Sequence, residues 1–308
     1  MDTKNQDVRN FMSDNLNNVI NGDALEVLKH IPDESVHFVL TDPPYFIDGM
    51  CDQWNRESLN EKSKKASVIG GLPVGMKFDP RQGIKFQQFM ESVSEDLYRI
   101  LKPGGFFVSF SQARLYHRMA IAVENCGFEV RDMLAWKYDG QAKAFSMDHF
   151  IKKMRDIDET EKQNIIDSIG GRKTPQLKPQ IEPMVLSQKP KIGTFVTNWM
   201  INETGLVDVK VSLDGRFPGN VMEVRKPSSK EKEEGIEHLT VKPIKLIEHI
   251  IRLFTKDGQI VLDPFMGSGT TGIAAVNSGR NFIGIEKDGV YARIANTRIE
   301  RARNEKSN

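Results

Sequence analysis

The sequence has little of several features that mark particular classes of protein. Only two cysteines, Cys51 and Cys126, occur among 308 residues, which excludes a disulfide scaffold and a cysteine-ligated zinc site. Five of the six histidines, all but His238, show no ligand spacing either. No apolar run approaches the roughly 20 residues that span a bilayer, and the mean hydropathy is -0.44. The start of the chain also lacks the apolar stretch of a secretory signal. We therefore expect a cytoplasmic protein without metal and without membrane contact.

An overall surplus of positive charge is missing as well. Lys and Arg number 43 against 42 Asp and Glu, which gives a net charge of +1, unlike a small basic nucleic-acid-binding domain. The balance differs between segments, because residues 46–90, residues 137–232 and the tail from Val290 are each richer in basic than in acidic residues. Phosphate contacts need local positive charge, so overall neutrality does not exclude DNA.

Apolar patterns that predict strands and helices alternate along most of the chain. Residues 18–41, 86–136 and 241–303 each predict such an alternation, and IEPMVLSQKP predicts one further strand in the polar middle. Residues 46–83 show no sustained period and predict a long loop. Alternation of this kind indicates a mostly parallel sheet with helices on both faces, in one large α/β domain.

A glycine-rich turn separates a predicted strand from a predicted helix. Gly267, Gly269 and Gly272 form a G-x-G-x-x-G pattern, in which glycine lets the backbone turn tightly and approach a ligand. Glu286 ends the next predicted strand about 20 residues later, the spacing of an acid that accepts ribose hydroxyls. A tight turn without a ligand and a dinucleotide site also fit the glycines. Asp263 at the strand end would repel a pyrophosphate but can pair with an ammonium group, which favours S-adenosylmethionine.

The sequence TDPPY follows another apolar strand and is the sharpest signal in the chain. Two prolines stiffen the backbone, so the Asp42 carboxylate and the Pro43 carbonyl can be held as neighbouring acceptors, with Pro44 behind them. Tyr45 adds a ring that can stack on a flat base. Two acceptors beside a ring suit the exocyclic amino group of a base, and Asp42 and Tyr45 are the foremost catalytic candidates. The alternative is a rigid turn with a buried tyrosine.

TDPPY and LDPFMGSGTT together resemble the S-adenosylmethionine-dependent DNA amino-methyltransferases that modify adenine N6 or cytosine N4. Their order, with DPPY first and the glycine motif last, is similar to that of the permuted class called beta. Supporting segments are NGDALEVL, LKPGGFFVSF and HLTVKPIKLIEHII, in which Leu239 stands where the family commonly has proline. The resemblance spans about residues 18–136 and 237–300.

This resemblance implies a Rossmann-like methyltransferase fold, that is, an α/β fold with a mostly parallel, doubly wound sheet and an inserted target-recognition region. Residues 1–136 would form the catalytic half with the DPPY motif, and residues 137–236 the target-recognition insertion. Residues 237–308 would form the cofactor-binding half that completes the same domain. Trp136 and Trp199 are expected to fill core rather than to stack on bases.

The resemblance also implies a set of cofactor-binding residues. Asp23 would meet the adenine amino group of S-adenosylmethionine, Glu286 the ribose, and Lys242 the carboxylate. The other predicted cofactor residues are Ala24, Asp263, Phe265, Gly267, Ser268, Gly269, Thr270 and Lys287.

The implied activity is site-specific methylation of adenine N6 in double-stranded DNA, by base flipping and direct in-line attack. N4-cytosine methylation is the nearest alternative, and Asp rather than Ser before PPY favours adenine. An RNA methyltransferase, a protein-glutamine methyltransferase and a silent DNA-binding module are further alternatives. The sequence is compatible with a homodimer. It is also compatible with either a cognate restriction endonuclease as partner or a solitary, phage-type enzyme.

Overall fold

The computed structural model describes residues 11–44, 80–142, 144–227 and 241–307. One sheet contains all the named strands: β1 (Asn18–Asn21), β2 (Val36–Thr41), β3 (Leu101–Phe110), β4 (Glu129–Lys137), β5 (Ile181–Gln188), β6 (Val221–Glu223), β7 (Ile260–Asp263) and β8 (Asn281–Glu286). The helices are α1 (Ala24–Val27), α2 (Pro80–Ile100), α3 (Tyr116–Asn125), α4 (Asp148–Lys152), α5 (Glu159–Ile169), α6 (Phe195–Asn202), α7 (Ile244–Phe254), α8 (Thr270–Asn277) and α9 (Gly289–Ser307).

The sheet has eight strands in the order β1-β8-β7-β2-β3-β5-β4-β6. All neighbours are parallel except β5, which runs antiparallel to both β3 and β4. The chain order reverses between β7 and β2, since β7 continues through α8 to β8 on one side while β2 continues to β3 on the other. In such sheets ligands bind outside the carboxyl ends of the strands at this switch point.

Successive side chains of the central strands point alternately into two hydrophobic cores, one on each face of the sheet. Phe38 and Leu40 of β2 point to the core beneath α7, α8 and α9, whereas Val39 points to the core beneath α1, α2 and α3. Both faces of the sheet are therefore covered by helices, as a mostly parallel sheet requires. The doubly wound α/β architecture predicted from the sequence is confirmed.

Helix α7 shows how the sequence fixes one of these layers. Its apolar residues recur at helical spacing, so that Leu246, Ile247 and Ile250 are buried on one face against the sheet. At its end the Phe254 ring lies 5.6 Å from the Phe38 ring and 4.7 Å from the Phe106 ring, measured between centroids. The helix is thereby held over β2 and β3, and its first turn lies near the carboxyl ends of these strands.

Most predicted elements are present, with differences at their ends. Helix α8 follows the glycine-rich turn as predicted, while α2 begins at Pro80 rather than near Phe86, so that the end of the predicted loop is helical. The rest of that loop, residues 45–79, lies outside the described residues. The strand predicted from IEPMVLSQKP is β5, and both β5 and β6 join the main sheet although they lie within residues 137–236.

The two tryptophans expected in the core differ from each other. Trp136 is 4% exposed, and its indole Nε1 donates to the Val224 carbonyl at 2.7 Å. Trp199 is only partly buried, and the Lys256 ammonium lies 5.4 Å from its ring centroid. The core assignment is confirmed for Trp136 alone. None of the described helices combines the length and the apolar composition needed to cross a membrane.

Candidate active site

The two sequence motifs meet at the switch point of the sheet. β2 and β7 are parallel neighbours, so the residues at their carboxyl ends lie side by side. Thr41 Oγ1 donates to Asp263 Oδ1 at 2.7 Å, which joins positions 222 residues apart in the chain. The TDPP turn and the glycine loop therefore form one continuous site at this edge of the sheet.

Asp263 links the two motifs from a fully buried position. Its carboxylate accepts hydrogen bonds from the Thr41 hydroxyl, from the Thr271 hydroxyl at 2.6 Å and from the Phe265 backbone N–H at 3.0 Å. Burial raises the pKa of Asp263 to about 6, although these hydrogen bonds offset part of the increase. Pairing of this carboxylate with an ammonium of the cofactor stays a prediction.

The glycine loop adopts a backbone that requires glycine. Gly267 and Gly269 have φ of 54° and 90°, the left-handed region that side chains disfavour. A Cβ on Gly269 would also lie 3.0 Å from Ala295 of α9, so the loop is packed tightly onto that helix. Arg298 of α9 is buried and donates to the Ser268 carbonyl at 2.6 Å and to its hydroxyl at 3.2 Å. Arg298 thus anchors the loop from behind.

The loop leads directly into helix α8. Gly269 is its N-cap, and no side chain caps the first turn, so the helix start presents backbone N–H groups. Thr270 begins the helix and is 8% exposed. The Phe265 ring packs against the Phe89 ring with centroids 5.8 Å apart. This face combines N–H donors with an aromatic wall.

Glu286 is held at the carboxyl end of β8, next to the loop. Its Oε2 accepts from the Gly267 N–H at 2.8 Å, and its Oε1 accepts from the Asp288 N–H at 2.8 Å. Burial raises the pKa of Glu286, and the backbone N–H groups offset part of that rise. The carboxylate is therefore fixed by the backbone at the position where the sequence predicts a ribose-binding acid.

Asp23 lies beside Glu286 because β1 pairs with β8 in register Asn21 to Glu286. Asp23 Oδ1 accepts from the Leu25 N–H at 3.0 Å and caps α1, whose first residue, Ala24, is buried. Its Oδ2 pairs with the Lys287 ammonium at 2.9 Å. This hydrogen bond lowers the pKa of Asp23. The structure thus brings together the predicted residues of the adenosine end.

A second group of charged side chains surrounds Asp42 on the other side of the switch point. The Lys242 ammonium lies 2.5 Å from Asp42 Oδ2 and 3.0 Å from Glu182 Oε1. It also stands 4.7 Å from the centroid of the Phe110 ring. We call Asp42, Glu182 and Lys242 the acceptor cluster. Pro43 next to it is buried, and Pro44 is partly buried.

Burial and charge act in opposite directions within the acceptor cluster. Burial alone lowers the pKa of Lys242, but the two carboxylates outweigh it, so that the pKa lies above its ordinary value. Burial raises the pKa of Glu182, while the Lys242 ammonium offsets part of that rise. Lys242 is therefore a cation at neutral pH, buried with two acidic partners.

The structure brings the predicted site residues to one edge of the sheet, with two qualifications. Tyr45, the predicted stacking ring, lies outside the described residues. Lys242 contacts Asp42 and Glu182, and its predicted contact with the cofactor carboxylate stays a prediction. Glu182 and Arg298 were not predicted. The only sequence signal for Glu182 is an acidic residue at the start of an otherwise apolar strand.

The acidic groups and the N–H donors fit a nucleoside cofactor with a cationic amino-acid part. Glu286 and Asp23 are fixed acceptors, and the loop and the start of α8 supply donors. Within the four described ranges, no three His, Cys, Asp or Glu side chains converge to hold a metal ion.

Comparison with known proteins identifies the family. Residues 36–297 match the family model described as DNA methylase, which covers N6 and N4 methyltransferases. The chain belongs to this family. A DNA methylase transfers a methyl group to a base of DNA, which agrees with the joined TDPP turn and glycine loop.

Individual relatives support the membership. The chain is 32% identical to the type II methyltransferase M.HindIII of Haemophilus influenzae over 91% of this chain and 94% of the relative. The solved M1.HpyAVI–SAM complex is similar with a TM-score of 0.54 and 21% identity, covering 92% of this chain and 98% of the other. PvuII DNA methyltransferase, described as cytosine-N4-specific, has a TM-score of 0.56 and 19% identity, with 94% and 93% covered. The two structures confirm the Rossmann-like methyltransferase fold.

Proposed function

We propose that this DNA methylase transfers a methyl group from S-adenosylmethionine to adenine N6 at specific sites in double-stranded DNA. The observation that carries the proposal is the joining of two motifs at the switch point, where Thr41 beside Asp42 donates to Asp263 beside the glycine loop. The proposed acceptors for the base would thereby lie next to the proposed site of the methyl donor.

The amino nitrogen of adenine needs help to act as a nucleophile, because its lone pair is delocalised into the ring. The Asp42 carboxylate and the Pro43 carbonyl accept hydrogen bonds from the amino group, which favours a tetrahedral nitrogen and directs its lone pair. A bond would form between this nitrogen and the methyl carbon as the methyl–sulfur bond breaks; the sulfur would keep the bonding electron pair, and the proton that the nitrogen then loses would pass to solvent water. No covalent intermediate with the protein is involved. Tyr45 would stack on the base.

When bound, S-adenosylmethionine supplies an electrophilic methyl group on a sulfonium. Glu286 would accept both ribose hydroxyls, and Asp23 with Ala24 and Lys287 would contact the adenine end. The glycine loop from Phe265 to Thr270, with Asp263 beneath it, would surround the methionine part. These roles are supported by the fixed orientation of Glu286 and Asp23 through backbone N–H groups.

The base must leave the duplex to reach Asp42, at a cost of a few kcal/mol. We place target recognition within residues 137–236, between the catalytic half (1–136) and the cofactor-binding half (237–308). This stretch includes the helices α4, α5 and α6 in addition to the sheet strands β5 and β6. Its basic residues suit phosphate contacts, and its side chains would select the sequence.

We propose adenine rather than cytosine because Asp, not Ser, precedes Pro43. The test is a mass measurement of nucleosides from DNA that has been incubated with the protein and S-adenosylmethionine. N6-methyladenine is expected. N4-methylcytosine as the sole product would overturn the choice of base but not the reaction. Competition with RNA of the same sequence checks the substrate class, and Asp42→Ala is the inactive control.

We further propose that the enzyme acts in the cytoplasm, beside a cognate restriction endonuclease or as a solitary, phage-type methylase, and that it forms a homodimer. Methylation mapping of DNA from cells that express the chain would give the recognition sequence. Sedimentation of the purified protein with and without DNA would give the oligomeric state.

A further inference from the structure

The acceptor cluster contains two residues to which the proposed reaction gives no role toward the base. Glu182 is the second residue of β5, which runs antiparallel to β3, so the start of β5 lies at the same edge of the sheet as the carboxyl ends of β2 and β3. Lys242 precedes α7 and reaches the same place from a position 200 residues after Asp42. Carboxylates from two distant segments therefore meet at the ammonium of a third.

The exposure of the three side chains differs in a consistent way. Lys242 is 8% exposed, whereas Asp42 and Glu182 are 21% and 22% exposed. The ammonium thus lies beneath two carboxylates that retain an open side, with the face of the Phe110 ring 4.7 Å from it. A cation enclosed in this way cannot exchange its partners for water without the cluster opening.

The charges of the cluster also matter. A lysine paired with Asp42 alone would neutralise the carboxylate and weaken it as a hydrogen-bond acceptor. With Glu182 as second partner, the ammonium is shared, and the cluster keeps one net negative charge beside the site of the base. Such a fixed charge stabilises the positive charge that develops on the amino nitrogen as the methyl group is transferred.

We propose that Lys242 and Glu182 are positioning residues of the methyl transfer: Lys242 orients the Asp42 carboxylate, and Glu182 holds the ammonium and preserves the negative charge of the cluster. This inference rests on the proposed function of Asp42. It gives Lys242 a role toward the methyl acceptor rather than toward the carboxylate of the cofactor.

The test compares Lys242→Met and Glu182→Gln with the wild type in single-turnover methyl transfer at saturating cofactor and DNA. Lys242→Met should lower the rate constant about 100-fold, the scale of a lost preorganised contact, and leave cofactor affinity by calorimetry within about 3-fold. Glu182→Gln keeps the shape and an acceptor oxygen, so a smaller decrease of about 10-fold is expected. Lys242→Arg should recover part of the rate.

Lys245 provides a matched control, because it is an exposed lysine in the first turn of α7, three residues after Lys242. Lys245→Met should transfer methyl groups at the wild-type rate. Thermal unfolding shows that each variant is folded at the assay temperature. If Lys242→Met does not fold, Glu182→Gln decides the matter, and a wild-type rate in that variant overturns the inference.

Two other outcomes also overturn it. One is a loss of cofactor affinity of about 10-fold or more in Lys242→Met, which would assign the lysine to the cofactor. The other is a wild type that methylates DNA together with Lys242→Met and Glu182→Gln variants that are equally active. This result contradicts the inference but leaves the proposed function standing. A wild-type protein that methylates no DNA overturns the proposed function and this inference with it.

Discussion

The cofactor side and the acceptor side of the site lie at one edge of the same sheet but are held in different ways. On the cofactor side, Glu286 and Asp23 are oriented largely by backbone N–H groups a short distance away. On the acceptor side, Asp42 is held by side chains from distant segments, with Lys242 between Asp42 and Glu182. Backbone contacts are set by local conformation, whereas the acceptor side depends on the assembly of the whole sheet.

The difference predicts separable kinetic effects. Substitutions on the cofactor side should change affinity for S-adenosylmethionine, and substitutions on the acceptor side should change the rate of transfer at saturation. Asp263 lies between the two sides, because it accepts from Thr41 and from Thr271. Its replacement should affect the stability of the protein more than it affects the binding of S-adenosylmethionine or of the base.

The largest effect is expected for Asp42→Ala. Removal of the carboxylate takes away the acceptor for the amino group, so the single-turnover rate should fall about 1,000-fold or more. Affinity for S-adenosylmethionine should stay within a few fold, as measured by calorimetry. A loss of cofactor affinity of about 100-fold would contradict the division into two sides.

A smaller effect, on stability, is expected for Asp263→Asn. The pKa of Asp263 is about 6 in the folded protein and ordinarily 3.8. The folded state therefore binds this proton more tightly, and the resulting stability is complete below pH 4 and lost as the pH rises through 6. A difference of two pKa units corresponds to about 3 kcal/mol. In urea unfolding between pH 7 and 4, the free energy of unfolding of the variant should lack this increase at lower pH.

His37 contributes with the opposite sign in the same range. Burial, with a smaller effect of Lys102, lowers the pKa of His37 to about 4, and its Nδ1 accepts from the Ile260 N–H at 3.2 Å. Its contribution is complete above the ordinary value of 6.5 and is lost as the pH falls toward 4. Between pH 7 and 4 the Asp263→Asn variant should therefore lose stability relative to the wild type, because it keeps the His37 loss but lacks the Asp263 gain. A stability difference between variant and wild type that stays constant from pH 7 to 4 would show that the pKa of Asp263 is not raised in the folded protein.

The smallest of these effects is expected for Glu286→Gln. The amide keeps the shape of the side chain but replaces one acceptor oxygen with a donor. The side chain can then no longer accept from both a ribose hydroxyl and the Gly267 N–H. Affinity for S-adenosylmethionine should fall about 10-fold, and the rate at saturating cofactor should stay within about 2-fold. A lower saturated rate with unchanged affinity would place Glu286 on the acceptor side.

The same difference explains what the sequence predicts well. The helix that follows the glycine-rich turn and the strand that ends at Glu286 were both predicted, because glycines, an apolar strand and a helix start follow each other within one short segment. The nearness of Asp23 to Glu286 also followed from a family resemblance. The pairing of β1 with β8 supplies the physical reason.

Other contacts are not predicted by any local pattern in the sequence. Glu182 joins Asp42 only because β5 runs antiparallel between β3 and β4, and periodicity does not encode the direction of a strand. Arg298 anchors Ser268 from a helix 30 residues later, where it is one of several arginines. The direction of β5 and the burial of Arg298 depend on the tertiary structure, so residue patterns alone could not predict them.

The hydrogen bond between Thr41 and Asp263 has a consequence for synthesis on the ribosome. The 222 residues that separate them take on the order of 10 to 40 s to translate at 5 to 20 residues per second. During that time β2 can pair with β3 but not with β7, so the apolar edge of β2 at Phe38 and Val39 stays open. Nascent chains that stop before β7 should therefore aggregate, and the time of translation sets the earliest moment at which the enzyme can act.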